Sequence, residues 1–234
     1  MGMKKLVIFD VDGLLLNTEF IWQKIWNEVG KRNHVPAFGP LFHKAVGTNG
    51  DMVMNMLRKE LPALTSDEID KLRDDVFALG DVQMDRDLSL MPGAQELLAC
   101  LEEKKIPMAV GTATSRIKTM DRFAKMQITQ YFSCIVCGDE VKKRKPDPEI
   151  YQTLLAKMKT APEDALVLED TCYGVEAAHR AGIDVIMVPS INGPTGTDRQ
   201  RACAILDSLY DIHKLISYGT IQLMPAHSSG EAAL

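Results

Sequence analysis

Five short apolar runs, set apart by segments of helical spacing, constrain this chain more than any other feature. They are Leu6 to Phe9, Met108 to Thr112, Cys134 to Cys137, Leu166 to Leu168 and Val185 to Val188. Each is too short for a stable helix. Most are rich in Val and Ile, as strands buried on both faces of a parallel sheet are. Between them, Ala94 to Glu103 carries Leu97, Leu98 and Leu101, and Ile117 to Met126 carries Met120, Phe123 and Met126. Glu149 to Met158 carries Ile150, Leu154 and Leu155, and Val175 to Ala181 is rich in Ala. Strand-helix alternation of this kind predicts an α/β fold.

One region breaks the alternation. From Glu19 to about Arg86 no segment reads as a strand. Phe20, Ile21, Ile25 and Val29 mark one amphipathic helix, and Met52, Val53, Met56 and Leu57 a second. Ile69, Leu72, Val76 and Phe77 mark a third, opened by Thr65 and Glu68 three residues apart, the spacing of a capping box. Met91-Pro92-Gly93 is a turn signal where the chain re-enters the sheet. The expected architecture is a Rossmann-like parallel sheet core, residues 1–17 and 88–218, with a small all-helical cap, residues 18–87, inserted after the first strand. Residues 219–234 read as a C-terminal tail without a motif.

Composition narrows the function classes. The 234 residues carry a formal net charge of -5, and the densest basic cluster is the short run Lys142-Lys143-Arg144-Lys145. A nucleic-acid binder needs an extended basic surface to replace phosphate counterions, so no nucleic-acid partner is expected. No apolar run is long enough to span a bilayer, and Asp10 and Asp12 interrupt the only run near the N-terminus, so no membrane association is expected. Five cysteines at irregular positions do not read as a disulfide framework, which fits a reducing cytoplasm. Cys134 and Cys137 form a C-x-x-C pair, but without a second pair they read as small residues of a buried strand.

The chemistry starts at Ile8-Phe9-Asp10-Val11-Asp12-Gly13. A buried strand delivers two carboxylates two residues apart, and ligands of open α/β sheets bind beyond the carboxyl ends of strands. Two carboxylates in one place repel unless a cation neutralises them, and a hard divalent ion such as Mg²⁺ suits oxygen ligands. Three more strand or loop ends add to them. Thr112 closes one strand with a hydroxyl, Lys145 precedes the Pro146-Asp147-Pro148 helix start, and Glu169-Asp170 ends a further strand with two acids. A nucleophilic carboxylate, a hydroxyl, an ammonium and metal-binding acids together describe a phosphate-handling site.

In order and spacing, DVDGLLLNTE, Thr112, Lys145-Pro146-Asp147-Pro148 and Glu169-Asp170-Thr171 with Gly174 resemble the four motifs of the haloacid dehalogenase superfamily. Within it the chain resembles the β-phosphoglucomutase-like subfamily with a helical cap, over nearly its whole length. The resemblance implies that Asp10 attacks phosphorus and becomes an aspartyl-phosphate. It implies that Asp12 protonates the leaving oxygen and then activates water. Thr112 and Lys145 would bind the phosphoryl group. Asp10, Asp12 through its backbone carbonyl, and Asp170 would hold Mg²⁺, with Glu169 either an outer ligand or an acid that orients its neighbours.

The chain departs from the pattern in places. Thr171 stands where the family has Ser, and Asn17 where Asp is common, read here as a structural turn residue. Thr114 and Ser115 read as caps of the next helix rather than phosphate ligands. Trp22 and Trp26 read as cap packing, and His34, His43 and His179 as residues without a partner pattern. The cap loop Gly47-Thr48-Asn49-Gly50-Asp51 has no Arg or Lys to hold a second phosphate, although Arg58 and Lys59 follow it. The expectation is a Mg²⁺-dependent phosphatase of a small phosphorylated metabolite, such as a sugar phosphate. The alternatives are a β-phosphoglucomutase-type sugar phosphate mutase and a non-catalytic phosphate-ligand binding protein. Oligomeric state leaves no mark in the sequence.

Overall fold

The computed structural model describes residues 3–48 and 50–224. Asn49 of the cap loop and the tail from residue 225 onward lie outside the described residues. Six parallel strands form one sheet in the order β3-β2-β1-β4-β5-β6. They are β1 Leu6–Phe9, β2 Met108–Gly111, β3 Cys134–Val136, β4 Ala165–Glu169, β5 Asp184–Met187 and β6 Ala204–Ile205. All four residues of β1 are fully buried, because helices cover both faces of the sheet. On one face Phe9, Val110 and Leu168 pack with Leu97, Leu98 and Phe123. On the other, Ile8, Ala109 and Val167 pack with Ile150, Leu154 and Val175.

The expected α/β sheet is present, with small shifts at strand ends. β2 stops at Gly111 and β3 at Val136, one residue short of the apolar runs, while β4 and β5 each start one residue earlier. β6 has no apolar run to announce it, being two half-buried residues at the sheet edge. The helices covering the sheet are α5 Ala94–Glu103, α6 Arg116–Met126, α7 Glu149–Met158, α8 Cys172–Arg180, α9 Gly196–Arg201 and α10 Leu209–Ser217. In α10, Leu209, Ile212 and Ile216 are buried, a spacing that carries a helix although the sequence reading passed over it. Beyond Tyr218 the chain returns to the sheet, where Lys4 bridges Leu223.

The inserted helices are α1 Thr18–Arg32, α2 Phe42–Ala45, α3 Gly50–Glu60 and α4 Ser66–Asp87. They have a core of their own, in which Ile21, Ile25 and Val29 of α1 meet Ile69, Leu72 and Val76 of α4. Trp26 stacks on Phe38 with ring centroids 4.5 Å apart and planes 4° apart. Thr65 and Glu68 exchange hydrogen bonds in a complete capping box at the start of α4.

Two linkers join cap to core, and Asn17 ties them together. Its amide donates to the Asp87 carbonyl at 3.0 Å, and its side-chain oxygen accepts from the Ser89 N–H at 2.9 Å. Gly93 has φ +87°, and a β-carbon there would approach the Tyr210 nitrogen to 2.4 Å, so the Met91-Pro92-Gly93 turn requires glycine.

Candidate active site

β1 lies between β2 and β4, and the chain switches from one side of it to the other. Such a switch point opens a crevice beyond the carboxyl ends of the strands. Asp10 leaves β1 there, Thr112 leaves β2, and Glu169 and Asp170 end β4. Lys145 comes from the loop before α7. Its ammonium donates to Asp10 Oδ1 at 2.6 Å, Glu169 Oε1 at 2.6 Å and the Gly111 carbonyl at 2.9 Å. All three of its protons are placed. By contrast the Lys143 side chain is exposed and reaches Asp147 only at 3.9 Å.

Glu169 is fully buried. Besides Lys145, Oε1 accepts from the Tyr151 hydroxyl, and Oε2 accepts from the Asp170 and Thr171 N–H groups and the Thr171 hydroxyl. A carboxylate has about four lone-pair sites, so these donors occupy Glu169 completely. It orients Lys145 and the start of α8. Gly174 makes room for it, since a β-carbon there would fall 1.7 Å from Oε1.

Asp170 differs. Ser190 donates to its Oδ2 at 2.5 Å, but its Oδ1 is buried and has no partner. A buried unpartnered carboxylate oxygen is costly and calls for a cation or water. Asp10, Glu169 and Asp170 offer oxygens within 4.8 Å of one another, all hard donors. These residues therefore fit a divalent ion, with Asp10 and Asp170 having free oxygens to offer it. In the protein alone, burial and the neighbouring Glu169 and Asp10 push the Asp170 carboxyl well above its usual range. Burial raises Asp10 to about 7; Lys145 opposes the rise, and Glu169 and Asp12 add to it. Burial works against the charge of Lys145, but Asp10 and Glu169 outweigh it and hold the ammonium.

The side chain of Asp12 stands apart from that acid group. Its Oδ1 accepts from Arg122 Nη1 at 2.7 Å, and its Oδ2 from the Thr114 hydroxyl at 2.6 Å and the Thr112 hydroxyl at 3.3 Å. Two sequence expectations change here. Thr114 does not cap α6 but holds Asp12, and Ser115, at the cap position, makes no side-chain cap bond. Thr112 is fully buried; its hydroxyl donates to Asp12 at 3.3 Å and accepts from the Thr114 N–H.

Arg122 was not among the sequence candidates. The signal was present, because Arg122 shares the buried stripe of α6 with Thr119 and Phe123, and an Arg on an apolar stripe needs an acid. Glu19, also missed, faces the same carboxylates; burial, then Asp12 and Asp10, raise it to about 8.

A cleft of about 1010 Å³ separates these groups from the cap. Its cap wall is largely apolar and includes Trp22, Val53, Met54, Val76 and Phe77. Trp26 is cap core as expected, whereas Phe77, expected in the core of its helix, is 53% exposed on this wall. Trp22 lies edge-on to Phe77 and against Gly80. Arg73 is the cap cation on the wall among the described residues, and Arg58 and Lys59 are not part of it. Arg73 is paired with Asp70 and Asp74. His43 has a partner after all: its Nδ1 lies 2.9 Å from Asn192 Oδ1, and Asn192 donates to its carbonyl.

Comparison with known proteins bears on the family and the fold. The chain is 32% identical over 188 residues to a phosphorylated carbohydrates phosphatase of Thermotoga maritima, covering 80% of this chain and 86% of that one. It is 27% identical to the fructose-1-phosphate phosphatase YqaB of Escherichia coli, covering 78% of this chain and 95% of that one. A hydrolase structure from Deinococcus radiodurans superposes with a TM-score of 0.79 at 22% identity, over 95% of this chain and 99% of that one. No helix among the described residues is long and apolar enough to cross a membrane. Residues 7–188 match the family model of the haloacid dehalogenase-like hydrolases, and the chain belongs to that family.

Proposed function

We propose that this protein is a phosphatase of phosphorylated carbohydrates or similar phosphomonoesters, working through an aspartyl-phosphate on Asp10. The observation that carries the reading is the pair of differently held carboxylates. Asp10 is bound through one oxygen by Lys145, and Asp12, two residues on, is held separately. An Asp10 oxygen attacks phosphorus as the bond to the leaving oxygen breaks, and Asp12 gives its proton to that oxygen. Asp12 then takes a proton from water, the water oxygen attacks phosphorus, and the bond to Asp10 breaks, releasing phosphate. Lys145 neutralises phosphoryl oxygens, and a phosphoryl oxygen reaching Thr112 exchanges with its long contact to Asp12.

Asp10, Asp170 and the Asp12 backbone carbonyl would hold Mg²⁺, which supplies positive charge to the phosphoryl group when bound. The orphaned Asp170 Oδ1 supports that assignment. The relatives that act on phosphorylated carbohydrates and on fructose 1-phosphate support the substrate class. The apolar cap wall suits the carbon face of a sugar ring, which stacks on Trp and Phe.

A mutase must anchor the second phosphate of a bisphosphorylated intermediate. The one cap cation on the cleft wall among the described residues, Arg73, is already neutralised by two aspartates, which favours release to water. The test is phosphate release from a panel of sugar phosphates with Mg²⁺, then with excess chelator. Turnover that stops in chelator and returns with Mg²⁺ is the expected result. Absence of turnover across the panel would support a binding protein. Conversion of β-glucose 1-phosphate to glucose 6-phosphate without free phosphate would support a mutase.

A further inference from the structure

We propose that Arg122 is a positioning residue that holds Asp12 in place for acid-base work, an inference that rests on the role of Asp12 given above. Asp12 lies beyond the end of β1, outside the sheet, with an isolated bridge to Leu16. Left alone, its carboxylate would be drawn toward Lys145, the cation that holds Asp10 two residues before it. The structure shows a separate anchor instead. The Arg122 guanidinium takes Oδ1 at 2.7 Å, while Thr114 and Thr112 take Oδ2 at 2.6 and 3.3 Å. Both oxygens of Asp12 are thus fixed by α6 and the loop before it.

Arg122 lines the cleft, where its charge also acts on Glu19, but its ion pair goes to Asp12. Its side chain is 10% exposed, and Asp12 is its ion-pair partner among the described residues. Among the described residues its side chain donates to Asp12 and not to the backbone of a neighbouring element, unlike Arg116, which donates to the Ile135 carbonyl. A buried guanidinium is strongly unfavourable without its acid, and a carboxylate held by a planar cation keeps a defined orientation. The result is a division between two neighbouring acids. Lys145 holds the nucleophile, and Arg122 holds the proton carrier away from it.

Leaving-group chemistry tests this. p-Nitrophenol departs as a stabilised anion and needs little protonation, whereas the alkoxide of fructose 1-phosphate needs a proton from Asp12. kcat/KM reports the steps through the first phosphoryl transfer, before water enters. Arg122→Met is expected to lower kcat/KM for fructose 1-phosphate about 10²-fold while changing that for p-nitrophenyl phosphate less than about threefold. Arg122→Lys, which keeps the charge but loses the fork, and Thr114→Val, which loses one donor, should show the same split with smaller size. These two variants serve if Arg122→Met fails to fold. Asp12→Asn is the reference and should show the largest split. Equal losses on both substrates in folded variants, or no loss, would overturn the positioning role. An Asp12→Asn variant without the split would overturn it together with the acid role of Asp12, whereas a split in Asp12→Asn alone would remove Arg122 and leave the phosphatase reading standing.

Discussion

At the strand ends of the core, polar atoms other than the free oxygens of Asp10 and Asp170 are paired at short range and kept from water. Lys145 has three acceptors within 2.9 Å, and Glu169 is fully buried and saturated. Across the cleft, Trp22, Val53, Val76 and Phe77 offer surface but few directed bonds. The two walls work by different forces. Hydrogen bonds and ion pairs in a buried site specify positions to within a few tenths of an ångström, and losing one member leaves another charge unpaired. Apolar contact is non-directional and scales with area, so it tolerates leaving groups of varied shape. On the proposed function, chemistry belongs to the core wall and choice of substrate to the cap wall.

The comparison breaks first, and most visibly, at Asp10. Asp10→Asn keeps the shape but removes the nucleophile, and kcat should fall about 10⁴-fold or more. Steady-state phosphate release with a matched circular dichroism spectrum checks it, and near wild-type turnover would refute covalent catalysis.

Lys145→Ala should reduce kcat/KM about 10²- to 10³-fold, because it strips the phosphoryl group of its cation and leaves Asp10 and Glu169 facing each other. Lys142→Ala and Lys143→Ala should stay close to wild type, since both side chains are exposed. Equal losses in the three variants would show that the run acts as a diffuse field.

On the cap wall, Trp22→Ala should raise KM for a sugar phosphate about tenfold with little change in kcat. A fall in kcat with constant KM would place Trp22 in the chemistry and erase the contrast between the walls.

The smallest effect is on stability. In chelator, the folded protein keeps protons on Glu19, at about 8, and Asp10, at about 7, well above the 4.5 and 3.8 of the unexposed-to-field groups in an unfolded chain. Folded-state values that are raised make stability greatest below the unfolded values and diminish it as pH rises through the folded ones. Thermal melts of metal-free protein should therefore fall from pH 5 to pH 8, and Glu19→Gln should flatten the fall. A melting temperature independent of pH over that range would contradict the assignment.

Much of the fold was legible because buried parallel strands write continuous apolar runs. Leu6–Phe9 and Ala165–Glu169 could be read within a residue for that reason. The edge strand Ala204–Ile205 could not, since it lies half-buried and gains its strand geometry by pairing with β5. In the site, Asp10, Thr112 and Asp170 were marked by position, each just past a strand. Arg122 and Glu19 lie on helices; the place of Arg122 on the α6 stripe marked it as buried, but nothing local named the acid it would meet or turned Glu19 inward. Thr114 was misread because a hydroxyl near a helix start suits either a cap or an acid across the cleft.

The sequence alone determined the parallel α/β core, the interruption by helices after the first strand and the acids at the strand ends, because periodicity and strand termini are local properties. Only the tertiary structure decided which cation each of those acids meets. Lys145 lies 135 positions from Asp10 and Arg122 lies 110 from Asp12, and only the packing of loop and helix over the sheet brings each cation to its own carboxylate. Pairings over such separations depend on where whole elements dock, and residue spacing carries no record of that.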